Sequence, residues 1–312
     1  MKLHSLLIIS FILFLFSCKK DVPEVIEEPS PKTENVIIIV MDGPRYIDTW
    51  GDPTHQNIPK LTNYIQPKGV VNNNFYNNGF TWTLPGHLAM VSGQYYFLTN
   101  NGSELPPSPT IFQYFNEAYP NKNSWIVSTK DKLEVLTNTA DATYNNQYLA
   151  NVDCGVNGLG TGYRKDSVTF YNAKNVLENN PPNLMLINFK EPDNKGHAND
   201  YLGYLAQIPV VDNYIYELFK IIETSPFYKD KTAVFITNDH GRHDDDNGGF
   251  QNHGDSCEGC RHIMFFAYGP EFKSNKEINT RYELIDIAAT TAKLLGVELP
   301  GSEGVVMTDL FK

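Results

Sequence analysis

Residues 36–43 read VIIIVMDG: six apolar residues, five of them β-branched, then a carboxylate and a glycine. A short run that is apolar throughout, with no alternation, reads as a strand buried on both faces. The texture recurs in SWIVST (124–129), NLMLINF (183–189), TAVFITN (232–238) and HIMFFAYG (262–269). Helical stretches lie between. Residues 108–119 open on PSPT, with a proline suited to a first turn. Residues 163–179 run up to an Asn-Asn-Pro-Pro stop, and 281–295 end at Gly296, a C-cap residue. Residues 204–223 place Ile208, Val211, Ile215, Leu218 and Ile222 at helical spacing, with Pro209 marking either a first turn or a kink. Buried strands separated by helices imply an α/β fold, a three-layer α/β/α sandwich around a mostly parallel sheet. Residues 137–162 fit nothing regular and read as an insertion near the site.

The chain has 312 residues and a formal net charge of −11, with no internal repeat. An acidic balance argues against a nucleic-acid binder, which needs a basic patch. The N-terminus opens on Met1-Lys2, continues with an apolar run over 6–16, and reaches Ser17-Cys18. That is the form of a secretory signal, too short for a permanent span. Leu15-Phe16-Ser17-Cys18 resembles the lipobox of bacterial lipoproteins, and Lys19-Lys20-Asp21 resembles an export signal of surface lipoproteins. The competing reading is a plain secretory signal with an incidental cysteine. The expected organisation is a signal peptide over 1–17, a lipidated Cys18 and a Pro/Glu-rich flexible tether over 18–34, and one domain over 35–312. The implied location is the cell envelope, lipid-anchored through Cys18 at the outer membrane. Cys257-Glu258-Gly259-Cys260 reads as a disulfide or a free pair, because a zinc site needs a second ligand pair that Cys154 alone does not supply.

Three of the apolar runs end in carboxylates. VIIIVM leads into Asp42-Gly43, NLMLINF into Lys190-Glu191-Pro192-Asp193-Asn194-Lys195-Gly196-His197, and TAVFITN into Asp239-His240-Gly241. His253-Gly254 follows in the loop before the next run. In an open α/β sheet ligands bind outside the carboxyl ends of the strands. Carboxylates and imidazoles along one such edge suit Zn²⁺ and similar ions. Each alone is weak, since a lone Asp at a strand end is usually a helix cap. The recurrence carries the weight.

These motifs, together with Thr83-Leu84-Pro85-Gly86-His87 and Ser92-Gly93, resemble the alkaline phosphatase superfamily, in its nucleotide pyrophosphatase/phosphodiesterase and sulfatase-like branch, from about residue 35 onward. The resemblance implies two divalent metal ions, usually zinc. It assigns one to Asp193, His197 and His253, and the other to Asp42, Asp239, His240 and the oxygen of Thr83. It implies Thr83 as catalytic nucleophile and an anionic phosphoester as substrate.

Pro85 suits a first helical turn, which sets Thr83 at a helix N-terminus, where the dipole favours an anion. The expected activity is an exported phosphoric ester hydrolase, with phosphodiesters favoured because no additional positive group is evident. Phosphomonoesters and phosphonates are the alternatives. Sulfate esters are disfavoured: the related sulfatases carry Cys or Ser in a C/S-x-P-x-R pattern, whereas here Thr83 cannot be oxidised to an aldehyde and His87 replaces the arginine. A phosphoglycerate mutase-like role fits poorly with export. A non-catalytic surface lipoprotein that binds glycans or lipids is the alternative of another class. Arg45, Lys190 and Asn101 are weaker candidates for substrate contact, and His243 with Asp244-Asp245-Asp246 reads as a solvated loop. Phe75, Tyr76, Phe80 and Trp82 either wall a pocket or belong to the core.

Overall fold

The computed structural model describes residues 32–312. The signal segment, Cys18 and nearly all of the tether lie outside the described residues. Nine strands form one sheet: β1 (Asn35–Met41), β2 (Val70–Tyr76), β3 (Ser124–Ser128), β4 (Asn151–Cys154), β5 (Leu184–Phe189), β6 (Thr232–Thr237), β7 (His262–Tyr268), β8 (Lys276–Ile278) and β9 (Tyr282–Glu283). Their order is β4-β3-β5-β1-β6-β7-β2-β8, with β9 also beside β2. β4, β3, β5, β1 and β6 are parallel neighbours, and β7 alone runs against the rest. The described helices are α1 (Thr83–Ser92), α2 (Ile111–Ala118), α3 (Asp166–Asn179), α4 (Glu191–His197), α5 (Tyr201–Thr224), α6 (Glu258–Arg261) and α7 (Leu284–Leu295).

Side-chain alternation along β1 explains why Val36 to Met41 include no polar residue. Val36, Ile38 and Val40 join a core that includes Leu88 of α1, Phe112 of α2 and Leu294 of α7. Ile37, Ile39 and Met41 join a second core that includes Ala173 of α3 and Val211, Ile215 and Leu218 of α5. Both faces of the strand are covered, and all six residues are wholly buried. Burying a Val or Ile side chain contributes about 1.5–3 kcal/mol, so each face of β1 anchors one helical layer. The three-layer sandwich follows.

Departures from the sequence expectations have local causes. α5 starts before residue 204 because the Asp200 side chain accepts from Gly203 N at 2.9 Å and caps it. Pro209 is therefore inside the helix, not in its first turn. β2 escapes a propensity reading because Asn72, Asn73 and Asn74 fill its middle, where the register against β7 shifts. There Asn72 Oδ1 accepts from Asn74 N at 2.8 Å, replacing part of the ladder. Residues 137–162 are not wholly irregular: β4 extends the sheet beside β3. No described helix is long and apolar enough to cross a membrane.

Candidate metal centre

β3, β5, β1 and β6 are adjacent and parallel, so their C-terminal ends lie side by side. Asp42 follows β1 directly, and Asp239 and His240 stand just beyond β6. The residues after β5 form α4, with Pro192 in its first turn. This short helix sets Asp193 and His197 four residues apart on one face. Thr83 comes from the far side, as the first residue of α1 after β2. Asn77 draws the segment in by donating to Asp239 O at 2.8 Å. Gly86 completes the approach: a Cβ there would stand 2.6 Å from the same carbonyl.

Two groups of ligand atoms result, each with its atoms within 4.8 Å of one another. The inner group is Asp42, Asp239 and His240, all wholly buried. His240 Nε2 lies 3.7 Å from Asp42 Oδ1 and 3.5 Å from Asp239 Oδ2. His240 Nδ1 is 2.9 Å from Gly241 O, which makes Nδ1 the protonated nitrogen and turns the Nε2 lone pair inward. Neither His240 Nε2 nor Asp239 Oδ2 has a hydrogen-bond partner. Burial pushes the His240 imidazole down to about 3, so it is neutral near pH 7. Burial, then Asp239, raises Asp42 to about 6 against the pull of Lys130. Buried acceptors left unsatisfied cost about 1–3 kcal/mol each, and a cation among them removes that cost.

The outer group is Asp193, His197 and His253. Asp193 Oδ1 lies 3.3 Å from His197 Nε2 and 3.4 Å from His253 Nε2, and the two nitrogens are 3.0 Å apart. His253 Nδ1 donates to Thr81 O at 2.7 Å, again leaving Nε2 as the ligand nitrogen. Both groups therefore fit a divalent ion by donor type, and the inner group also by its unsatisfied acceptors.

Lys130 lies between the groups. Its Nζ donates to Asp42 Oδ1 at 2.9 Å, Thr83 Oγ1 at 2.8 Å and Asp193 Oδ2 at 2.7 Å. Burial alone would push this ammonium down; Asp193 and Asp42 outweigh it and hold it above the usual lysine range. Arg242 Nη1 donates to Asp193 Oδ1 at 2.5 Å, fully buried. Against its own burial, Asp193 is held well below the usual carboxylate range, chiefly by Lys130 and then by the two histidines. Neither cation is a metal-ligand residue type, so the metal motifs of the sequence leave both unmarked. Yet Lys130 stands two residues past β3, a fourth strand end on the same edge, and Arg242 follows the Asp-His-Gly motif directly.

A family model described as the metalloenzyme superfamily matches residues 85–299. The chain belongs to that superfamily, the alkaline phosphatase-like one. The match includes Lys130, Asp193, His197, Asp239, His240, Arg242 and His253, and begins after Asp42 and Thr83. A phosphopentomutase of Herpetosiphon aurantiacus is 33% identical over 118 residues, 38% of this chain and 27% of the mutase. Murine ectonucleotide pyrophosphatase/phosphodiesterase 5 superposes with TM-score 0.64 at 16% identity, covering 89% of this chain and all of that one. BT4656, solved with its substrate D-glucosamine-2-N,6-O-disulfate, reaches TM-score 0.69 at 14% identity, over 91% of this chain and 81% of that one.

Other candidates in the metalloenzyme fall elsewhere. Arg45 pairs with Asp48 at 2.6 Å and Asp245 at 2.7 Å, and Lys190 with Glu191 at 2.6 Å. Asn101 accepts from Ser103 N in an exposed turn. Its neighbour Asn100 is the one that reaches α1: its Oδ1 accepts from Leu84 N at 2.9 Å and from Lys132 Nζ at 2.9 Å. Its Nδ2 has no partner among the described residues. Pro85 has no N–H and that of Leu84 is taken, so the helix start offers a dipole more than free donors. His87 is wholly buried, with Nδ1 donating to Thr83 O at 2.8 Å and Nε2 accepting from Asn188 at 3.1 Å. Phe75 and Tyr76 belong to the core, whereas Phe80 contacts Trp82 and Phe97 at the surface.

Proposed function

We propose that this metalloenzyme hydrolyses phosphoesters, with diesters preferred, using Thr83 as nucleophile and two divalent ions, zinc by ligand type. Asp42, Asp239, His240 and the Thr83 oxygen would hold one ion; Asp193, His197 and His253 would hold the other. The observation that carries this reading is the placement of Thr83 Oγ1 at a helix start, 2.8 Å from Lys130 Nζ, which touches both ligand groups. When bound, such ions lower the pKa of coordinated hydroxyls and water and offset charge on a phosphoryl group. Thr83 Oγ1, its proton passing to solvent, forms a bond to phosphorus as the bond to the leaving oxygen breaks in line, and that oxygen takes a proton from water and departs as an alcohol. Water then cleaves the phosphothreonine and restores the hydroxyl. Lys130 donates to Oγ1, orienting its lone pair and stabilising the negative charge. Asn100 Nδ2 offers a donor to a nonbridging oxygen.

Charge supports an anionic substrate. Asp42, Asp193 and Asp239 against Lys130 and Arg242 leave the protein groups at −1; two divalent ions would bring the centre to +3. Lys130 is an additional positive group, but its three donors are already taken by Asp42, Thr83 and Asp193. None remains for the extra oxygen of a monoester, which keeps the preference on diesters. The murine neighbour was also solved as an inactive threonine-to-alanine variant in complex with AMP, which supports a threonine-dependent reaction. The N-terminal sequence adds the proposal that the enzyme works in the cell envelope, tethered through Cys18.

The test is metal content with turnover of bis-p-nitrophenyl phosphate, p-nitrophenyl phosphate and p-nitrophenyl sulfate. Thr83→Ala should keep its metals and lose diester turnover by on the order of 10⁴-fold or more. Full activity in that variant with metals bound would refute the nucleophile. Faster sulfate turnover than phosphate turnover would refute the substrate class.

A further inference from the structure

The segment between β6 and β7 holds a third ligand group that phosphoester hydrolysis does not use. His243, Asp255, Cys257 and Cys260 each bring one ligand atom, all within 4.8 Å of one another. The described cysteines are free, and Cys154 sits apart in β4. The second ligand pair that Cys-x-x-Cys lacked in the linear sequence is thus His243 and Asp255. Asp255 Oδ1 accepts from Cys257 N at 2.9 Å, which leaves Oδ2 for another role. That oxygen lies 3.1 Å from His243 Nε2, a buried atom that makes no hydrogen bond. Cys260 is fully buried, Cys257 and His243 partly so, and Asp255 closes the exposed side. Two sulfurs, one imidazole nitrogen and one carboxylate oxygen are a four-ligand zinc set with no open position.

We propose that His243, Asp255, Cys257 and Cys260 bind a structural zinc ion that clamps the loop presenting His253. The loop is held at several points that such a clamp would join. His243 N donates to Asn252 O at 2.9 Å, next to His253. Thr81 Oγ1 donates to Asp255 O at 2.7 Å, while Thr81 O accepts from His253 Nδ1. Gly241 N donates to Cys260 O at 2.8 Å, tying the Cys-x-x-Cys turn to the residue after His240. The two segments pack so closely that a Cβ on Gly241 would collide with the Gly259 carbonyl. An ion joining His243 to Asp255 and the two cysteines closes the 243–260 segment at its base, with His253 inside the closed loop. Zinc enters as the thiols leave their protons to solvent, so affinity falls as pH falls.

The experiment uses the full chain. Wild type should carry one zinc more than a Cys257→Ser/Cys260→Ser double variant. Cobalt-substituted wild type should show a thiolate-to-cobalt charge-transfer band that the variant lacks. Diester turnover in the variant should fall by about 10–100-fold, as when an outer-shell support of a metal ligand is removed. If the variant does not fold, the cobalt spectrum of wild type decides alone. No such band, with both thiols reacting freely, would overturn the proposal. So would a mass lower by two hydrogens from a Cys257–Cys260 disulfide. Thr83→Ala and His197→Ala should retain the band whether or not the enzyme hydrolyses phosphoesters, so this site and the proposed activity fail separately.

Discussion

Asp42, Asp239 and His240 are wholly buried, whereas His197 in the neighbouring group leaves 51% of its side chain exposed. The inner group grows from the ends of β1 and β6, paired strands of the core, so sheet register places it. The outer group hangs on a seven-residue helix and the loop around His253, both local structures. Their electrostatics differ as well. Asp193 already has Lys130 and Arg242, while Asp239 Oδ2 and His240 Nε2 have no hydrogen-bond partner. A buried group left unsatisfied gains most from a cation. The inner site should therefore hold its ion tightly, and the outer site should exchange it more readily.

Chelation should expose that contrast most strongly. Treatment with a chelator should release metal in two phases, the outer ion first and turnover with it, the inner ion slowly. Loss of both ions in one step would break the distinction between the sites. Next in size is Lys130→Met, which removes the cation shared by both groups. Its kcat should fall by about 10²–10³-fold with metal content retained, the scale for losing a donor to developing charge. A kcat within twofold of wild type would remove Lys130 from the mechanism.

A smaller pair separates the groups. Asn188 donates to Asp42 Oδ2 at 3.0 Å and so supports the inner site, while Arg242 supports Asp193. Asn188→Leu and Arg242→Met should each cost about 10–100-fold in metal affinity or activity. The first should weaken the slowly released ion and the second the fast one; the reverse pattern would invert the assignment.

Asp212 supplies a control outside both groups. It accepts from Lys60 N at 2.7 Å and Leu61 N at 2.9 Å, and burial raises it from 3.8 to about 6. The folded carboxyl holds its proton more tightly than the unfolded one, so ionising it costs stability. That cost is absent below pH 4 and complete above pH 6. Between pH 4 and pH 7 the stability of Asp212→Asn should improve relative to wild type by roughly 2–3 kcal/mol, with metal binding unchanged. Equal pH slopes in urea denaturation would show that Asp212 titrates normally.

Much of the inner site was legible because its residues follow apolar strands directly. Asp42 and Asp239 need only the rule that parallel strands present their ends together. Asp193 and His197 were legible as residue types, although the helix that aligns them was not expected from EPDNKGH. Lys130 is not legible in the sequence because lysine is not a metal-ligand type, and its position matters only where Asp42, Thr83 and Asp193 converge. Asn100 and Asn101 are adjacent and chemically identical; only the turn geometry tells which one meets α1.

The sequence by itself determined the buried strands, the helices between them, and the carboxylates and histidines that follow. These depend on hydrophobic periodicity and residue type, which are local. Only the tertiary structure decided that Lys130 sits between two ligand groups and that His243 and Asp255 stand beside the Cys257–Cys260 pair. Such meetings depend on strand order and on how loops pack over the sheet edge. No local pattern encodes the first, because Lys130, Asp42, Thr83 and Asp193 are distant in the chain, and the second depends on how one loop folds back on itself.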